Sequence, residues 1–134
     1  MSTAVRLLRA PSLADVPYAY AATAPVGSRL IFLAGSCPID EAGRTVHPGD
    51  HAAQAARCVE NLTAALTAAG ATLTDVLSTR VLVASNRRED LVAAWDVIAA
   101  AFGPDDVPST LLRVTVLGYP DQLVEIEAIA AVAH

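Results

Sequence analysis

The sequence predicts an α+β domain, a mostly antiparallel sheet of six strands with two helices packed on one face, in the order β-β-β-α-β-α-β-β. Three observations lead there. Two stretches free of Pro and Gly carry apolar residues at three- and four-residue spacing. Six short apolar or β-branched runs are punctuated by Pro, Gly and Asp. No repeat, linker or low-complexity tract interrupts the 134 residues, so residues 1–134 read as a single domain.

Taken in order, VRLLR (5–9), AYAATA (19–24) and RLIFLA (29–34) are short strands separated by Pro11, Pro17, Pro25 and Gly27. The stretch CPIDEAGRTVHPGD has the composition of a loop and ends at Asp50, a suitable helix N-cap. A helix follows over 51–69, with Val59, Leu62, Leu66 and Ala69 on one stripe and Gly70 as its stop. VLSTRVLVA (76–84) is a strand. The second helix spans 89–102, with Leu91, Trp95, Ile98 and Phe102 aligned before Gly103-Pro104. Strands at 109–117 and 123–132 lie on either side of the Gly118-Tyr119-Pro120 turn.

Alternation along the last strand puts Leu123, Glu125, Glu127 and Ile129 on one face, opposite Val124, Ile126, Ala128 and Ala130. The two carboxylates then stand about 7 Å apart on a shared face. In strand 76–84, Val76, Ser78, Arg80, Leu82 and Ala84 face one way, and Leu77, Thr79, Val81 and Val83 the other. Neither side is fully polar. With helices on one face only, the second face is mostly apolar and implies a homo-oligomer.

Composition excludes several functions. The net charge is −5, and the nine basic residues, all arginine, are spread along the chain, which argues against a nucleic-acid groove. The longest apolar runs are strand-length and no signal-like segment opens the chain, so no membrane association is expected and a cytoplasmic location is the default. Cys37 and Cys58 have no CxxC or His partner at ligand spacing, so they read as reduced thiols. His47, His51 and His134 make no metal pattern; His47 and His51 are expected to be solvated, and neither a metal nor a cofactor is implied.

Four motifs in order carry a resemblance to a known family: VPYAYAATA (16–24), FLAGSCPID (32–40), the helix-to-strand stretch QAARCVENLTAALTAAGATLTDVLSTRVLV (54–83) and the closing LVEIEAIA (123–130). Together they resemble the Rid, or YjgF-like, family of reactive-intermediate deaminases, also called endoribonuclease L-PSP. The resemblance implies a chorismate-mutase-like fold, a homotrimer, and small-molecule pockets in the clefts between subunits. Active members hydrolyse imines and enamines such as 2-aminoacrylate. They hold the substrate carboxylate with an arginine just before the fifth strand, and the first glutamate of the closing pair handles the attacking water.

Carried over by position, the resemblance makes Glu125 the catalytic carboxylate and Tyr18 a ligand-contacting aromatic. The arginine is absent: counting from Pro108 puts Thr110 in its place, whereas counting back from Glu125 with a longer turn puts Ser109 there. Ser36 replaces a glutamine, Ala34 a serine, and Trp95 an asparagine. The chain therefore resembles a divergent subgroup, and efficient 2-aminoacrylate deamination is not expected of it. The expected ligand-binding set is Tyr18, Ser36, Trp95, Ser109 and Thr110.

Other roles compete at each position. Glu125 fits a pocket or an intersubunit ion pair with Arg80; Glu127 fits a structural or rim charge. Tyr18 and Trp95 also suit plain packing, and Ser109 and Thr110 suit the start of a strand. Two functions follow: hydrolysis of an imine or enamine with Glu125 orienting water, or a non-catalytic trimer that binds a small ligand or serves as an accessory protein. Ribonuclease activity lacks a basic or aromatic track.

Overall fold

In the computed structural model, which describes residues 3–134, the α+β order holds. Strand β1 (Arg6–Leu8) pairs antiparallel with β2 (Ala21–Thr23). Strands β3 (Arg29–Phe32), β4 (Val76–Ala84), β5 (Ser109–Val114) and β6 (Val124–Val132) form a four-stranded sheet in the order β3-β6-β4-β5. The six strands thus divide into a two-stranded ribbon and a larger sheet instead of one continuous sheet. Pro25, which has no N–H to give a ladder, and Gly27 at φ +88 form the turn between β2 and β3. That turn leaves β2 only three residues long.

The strands around Gly118-Tyr119-Pro120 do not pair with each other. Strand β4 lies between them, parallel to β5 and antiparallel to β6. Strand β5 also stops at Val114, short of 117, so the connection is longer. It is closed where the Tyr119 N–H donates to the Gln122 side-chain oxygen at 3.0 Å and the Gln122 N–H to the Tyr119 carbonyl at 3.1 Å.

Helix α1 (His51–Ala68) begins where Asp50 Oδ1 accepts the Ala53 N–H at 2.9 Å. It ends at Gly70, whose φ of +81 lets the Ala71 N–H turn back to the Leu66 carbonyl. Helix α2 (Arg88–Phe102) stops at Gly103. Both helices cover one face of the four-stranded sheet, where Leu62, Leu66 and Ile98 pack on Val81, Val83, Val124 and Ile126. Each fully buried aliphatic side chain contributes about 1.5–3 kcal/mol. A bulge between Val76 and Ser78 breaks the alternation in β4 and turns Val76 into this core, 2% exposed, instead of onto the face of Ser78.

His51 is not solvated. Its ring is half-buried, with Nε2 3.1 Å from the Ala84 carbonyl and Nδ1 3.8 Å from the Asp90 carboxylate. Asp90 in turn is held below the usual carboxylate range, first by the Ser85 hydroxyl donating at 2.7 Å. The sheet's other face is open. It presents Leu30, Phe32 and Ile129, which are 53%, 74% and 36% exposed, together with Arg80, Glu125 and Glu127.

Candidate active site on the open sheet face

Two amides on α1, one buried and one half-buried, position the site. Gln54 is fully buried; its Nε2 donates to the Asp121 carbonyl at 2.9 Å and the His47 carbonyl at 3.2 Å, while its Oε1 accepts the Leu123 N–H at 2.7 Å. Asn61 Nδ2 donates to the carbonyls of Cys37 and Ile39 at 2.8 and 3.0 Å. One helix therefore fixes both the entry to β6 and the loop that follows β3. Residues of that loop continue alongside β6, where Ser36 and Ile126 exchange backbone hydrogen bonds at 2.7 and 3.0 Å.

These constraints bring Glu125 against the Gly35 backbone. A Cβ at Gly35 would collide with the Glu125 carboxylate, so the close approach requires glycine. Cys37 Sγ donates to Glu125 Oε1 at 3.2 Å and Gln122 Nε2 donates to the same oxygen at 3.1 Å. Gln122 is itself buried and also bonds the Val124 carbonyl. Both side-chain donors use Oε1, while Oε2 lies over Gly35. Burial, reinforced by the hydrogen bond and charge of Glu125, pushes the Cys37 thiol up to about 11, so it is a neutral donor at physiological pH. Gly35, Ser36 and Cys37 also line a depression of about 410 Å³ together with Asn61 and Tyr119.

The residues expected at the site fall on two sides of the sheet. Thr110 pairs in register with Arg80 and lies exposed on the open face with Glu125. Ser109 pairs with Thr79 on the helix side, and the two hydroxyls are 2.6 Å apart. Trp95 lines a small cavity there with Ser109, Thr79 and Pro17, and the Tyr18 ring meets Trp95 edge-on at 6.4 Å. Ser36 is buried, 7% exposed, beside Ile126. One protomer does not bring all six together: Glu125 and Thr110 share one face, Tyr18, Trp95 and Ser109 the other.

Arg80 pairs within the chain with Glu127 at 3.5 Å, its cross-strand neighbour, and not with Glu125. Arg113 lies on the helix side, in register with Val83, and donates to the Ser85 carbonyl and Asn86. Sequence reasoning missed Gln122 and the contact of Cys37 with Glu125. Their contact spans 88 positions, beyond any local pattern. Among the described residues no helix is long and apolar enough to cross a membrane.

The family model described as endoribonuclease L-PSP matches residues 10–132. The 3-aminoacrylate deaminase RutC of Acinetobacter baylyi is 33% identical over 118 residues, covering 88% of this chain and 89% of that protein. A RutC family protein of Pyrococcus horikoshii is 35% identical over 114 residues, covering 85% and 86%. Among solved structures, the Rid family protein YyfB of Yersinia pestis superposes with a TM-score of 0.89 at 28% identity, covering 96% of this chain and 99% of that one. The E. coli protein TdcF, solved with bound serine, gives a TM-score of 0.66 at 27% identity, covering 97% and 98%.

Proposed function

Because the chain belongs to the endoribonuclease L-PSP family, also called Rid or YjgF-like, we propose that it hydrolyses a small imine or enamine in a cleft between subunits. The observation that carries this is Glu125, a carboxylate fixed through Oε1 by Cys37 and Gln122 with Oε2 directed over Gly35. Two donors on one oxygen hold the side chain in a single orientation. The second oxygen is then positioned to accept a proton from water.

The reaction balances on that group alone. An enamine first takes a proton at carbon and gives one up at nitrogen to become the imine. Water adds to the imine carbon; its oxygen forms the new C–O bond, its proton passes to Glu125 Oε2, and the C=N electron pair moves to nitrogen, which takes that proton from Oε2. The hydroxyl proton of the carbinolamine then passes through Oε2 to the amino nitrogen as the C=O bond forms and the C–N bond breaks. The products are a carbonyl compound and ammonia.

The exposed apolar face supports the same reading. An open face bearing Leu30, Phe32 and Ile129 favours cover by further copies of the chain, which would shield Glu125 from bulk water. The Tyr18–Trp95 pair lies on the other side of its own sheet, so it reaches a Glu125 cleft only from a neighbouring copy. A homotrimer with three such clefts satisfies both conditions. The 3-aminoacrylate deaminase relative supports the reaction class. With Thr110 where an arginine would hold a carboxylate, 2-aminoacrylate is not the favoured substrate.

Ammonia release from freshly generated amino-acid imines, measured for the wild type and Glu125→Gln, tests the proposal. Loss of turnover by about 100-fold in Glu125→Gln, with ligand affinity retained, is the expected result. A wild type no faster than buffer, with Glu125→Gln changing affinity alone, would instead favour the non-catalytic ligand-binding function.

A further inference from the structure

Three arginines lie in the four-stranded sheet, and two are committed to the helix side. Arg29 donates to the Ala69 carbonyl at the end of α1, and Arg113 to Ser85 and Asn86. Only Arg80 projects from the sheet onto the open face that carries Glu125. Its one counter-charge is Glu127, a single contact at 3.5 Å between side chains 58% and 43% exposed. That pair is loose, and it leaves most of the guanidinium's donors unused.

We infer that Arg80 is the anion-binding residue of this face and that the ligand it takes is a small carboxylate, an imino or keto acid. This rests on the function proposed above. The Thr110 hydroxyl stands beside Arg80 in register, and Ser78 lies two residues before it on the same side. A depression of about 240 Å³ adjoins, with Phe32 and Ile129 as apolar walls. An incoming carboxylate can form the two parallel hydrogen bonds that Glu127 does not, displacing Glu127 to the rim.

Register sets the ligand's size. Glu125 pairs with Leu82, so Arg80 is its diagonal neighbour, about 7–8 Å away across the ladder. A carboxylate held at Arg80 therefore places the adjacent carbon of a three- or four-carbon acid toward Glu125. Longer diacids would overrun it. The guanidinium thus comes from β4 and not from the start of β5, displaced by one strand.

The test is titration of the intact protein by NMR with pyruvate, and with neutral methyl pyruvate, for the wild type, Arg80→Gln, Arg80→Lys and Glu127→Gln. Pyruvate affinity is expected to fall by about tenfold or more in Arg80→Gln, recover in part in Arg80→Lys, and rise in Glu127→Gln, with methyl pyruvate unaffected. No pyruvate binding by the wild type, or equal binding by Arg80→Gln, overturns the inference. So does dissociation of the oligomer in Arg80→Gln, seen by light scattering, which would assign the arginine to subunit contact. Arg80-dependent binding without any ammonia release would leave this anion site standing while removing the hydrolase function.

Discussion

Cys37 donates its thiol hydrogen to Glu125 Oε1 at 3.2 Å, which ties the loop after β3 to the face of β6. Because the thiol is pushed up to about 11, mainly by burial, it should be inert. Alkylation by iodoacetamide at pH 8 is expected to run about 100-fold slower than for an ordinary cysteine, because thiolate is the reactive form. In Glu125→Gln the rate should rise without reaching that of a free thiol, since burial remains. The sign for stability follows: the raised value favours folding below pH 9 and that contribution is lost as pH rises toward 11. Mass spectrometry of timed alkylations reads the first effect and thermal melts from pH 8 to 11 the second.

Gly35→Ala introduces a methyl group where the Glu125 carboxylate now lies. The glutamate is flexible enough to move, so the fold should survive at a cost of about 1–3 kcal/mol. Ligand binding or turnover, measured on the folded variant, should fall as far as in Glu125→Gln. A variant with full function would show that the position of Glu125 is immaterial.

Gln54→Ala removes a fully buried amide that serves two carbonyls and one N–H. Loss of about 2–4 kcal/mol is expected from urea denaturation, because those backbone groups are left unpaired beside a new cavity.

Arginine at the two candidate positions should behave oppositely. Thr110→Arg places the guanidinium on the open face beside Arg80 and should be tolerated, whereas Ser109→Arg must enter the helix side beside Trp95 and break the contact with Thr79. The second change is expected to cost about 2–4 kcal/mol in stability, read from thermal or urea melts. If Thr110→Arg also accelerates ammonia release from 2-aminoacrylate, the scaffold accepts that substrate once a guanidinium stands at this position.

Much of the fold was legible because it is periodic. Leu62, Leu66, Ile98 and Phe102 announce both helices, and the alternation in β6 puts Glu125 and Glu127 on one face as the register has them. The division of the strands into two sheets was not legible, because a three-residue strand such as β2 carries almost no pattern. Nor was the bulge that turns Val76 inward, which depends on the partner strand. At the site, Gln54 and Asn61 fall within the family-like helix motif, but their work is to hold loops, and most of their contacts lie 22 to 69 positions away. That Thr110, and not Ser109, shares the open face with Glu125 needed the pairing of β5 with β4, which no count along the chain supplies.

The proposed site is shared between copies, with Glu125 from one and the Tyr18–Trp95 pair from the next. Co-expression of Glu125→Gln and Tyr18→Ala copies, each inactive alone, tests it directly by ammonia release. Random assembly around a ring gives about one quarter of the clefts an intact glutamate and an intact tyrosine, so about one quarter of the wild-type rate should return. Mixed oligomers that form but stay inactive would contradict a shared site.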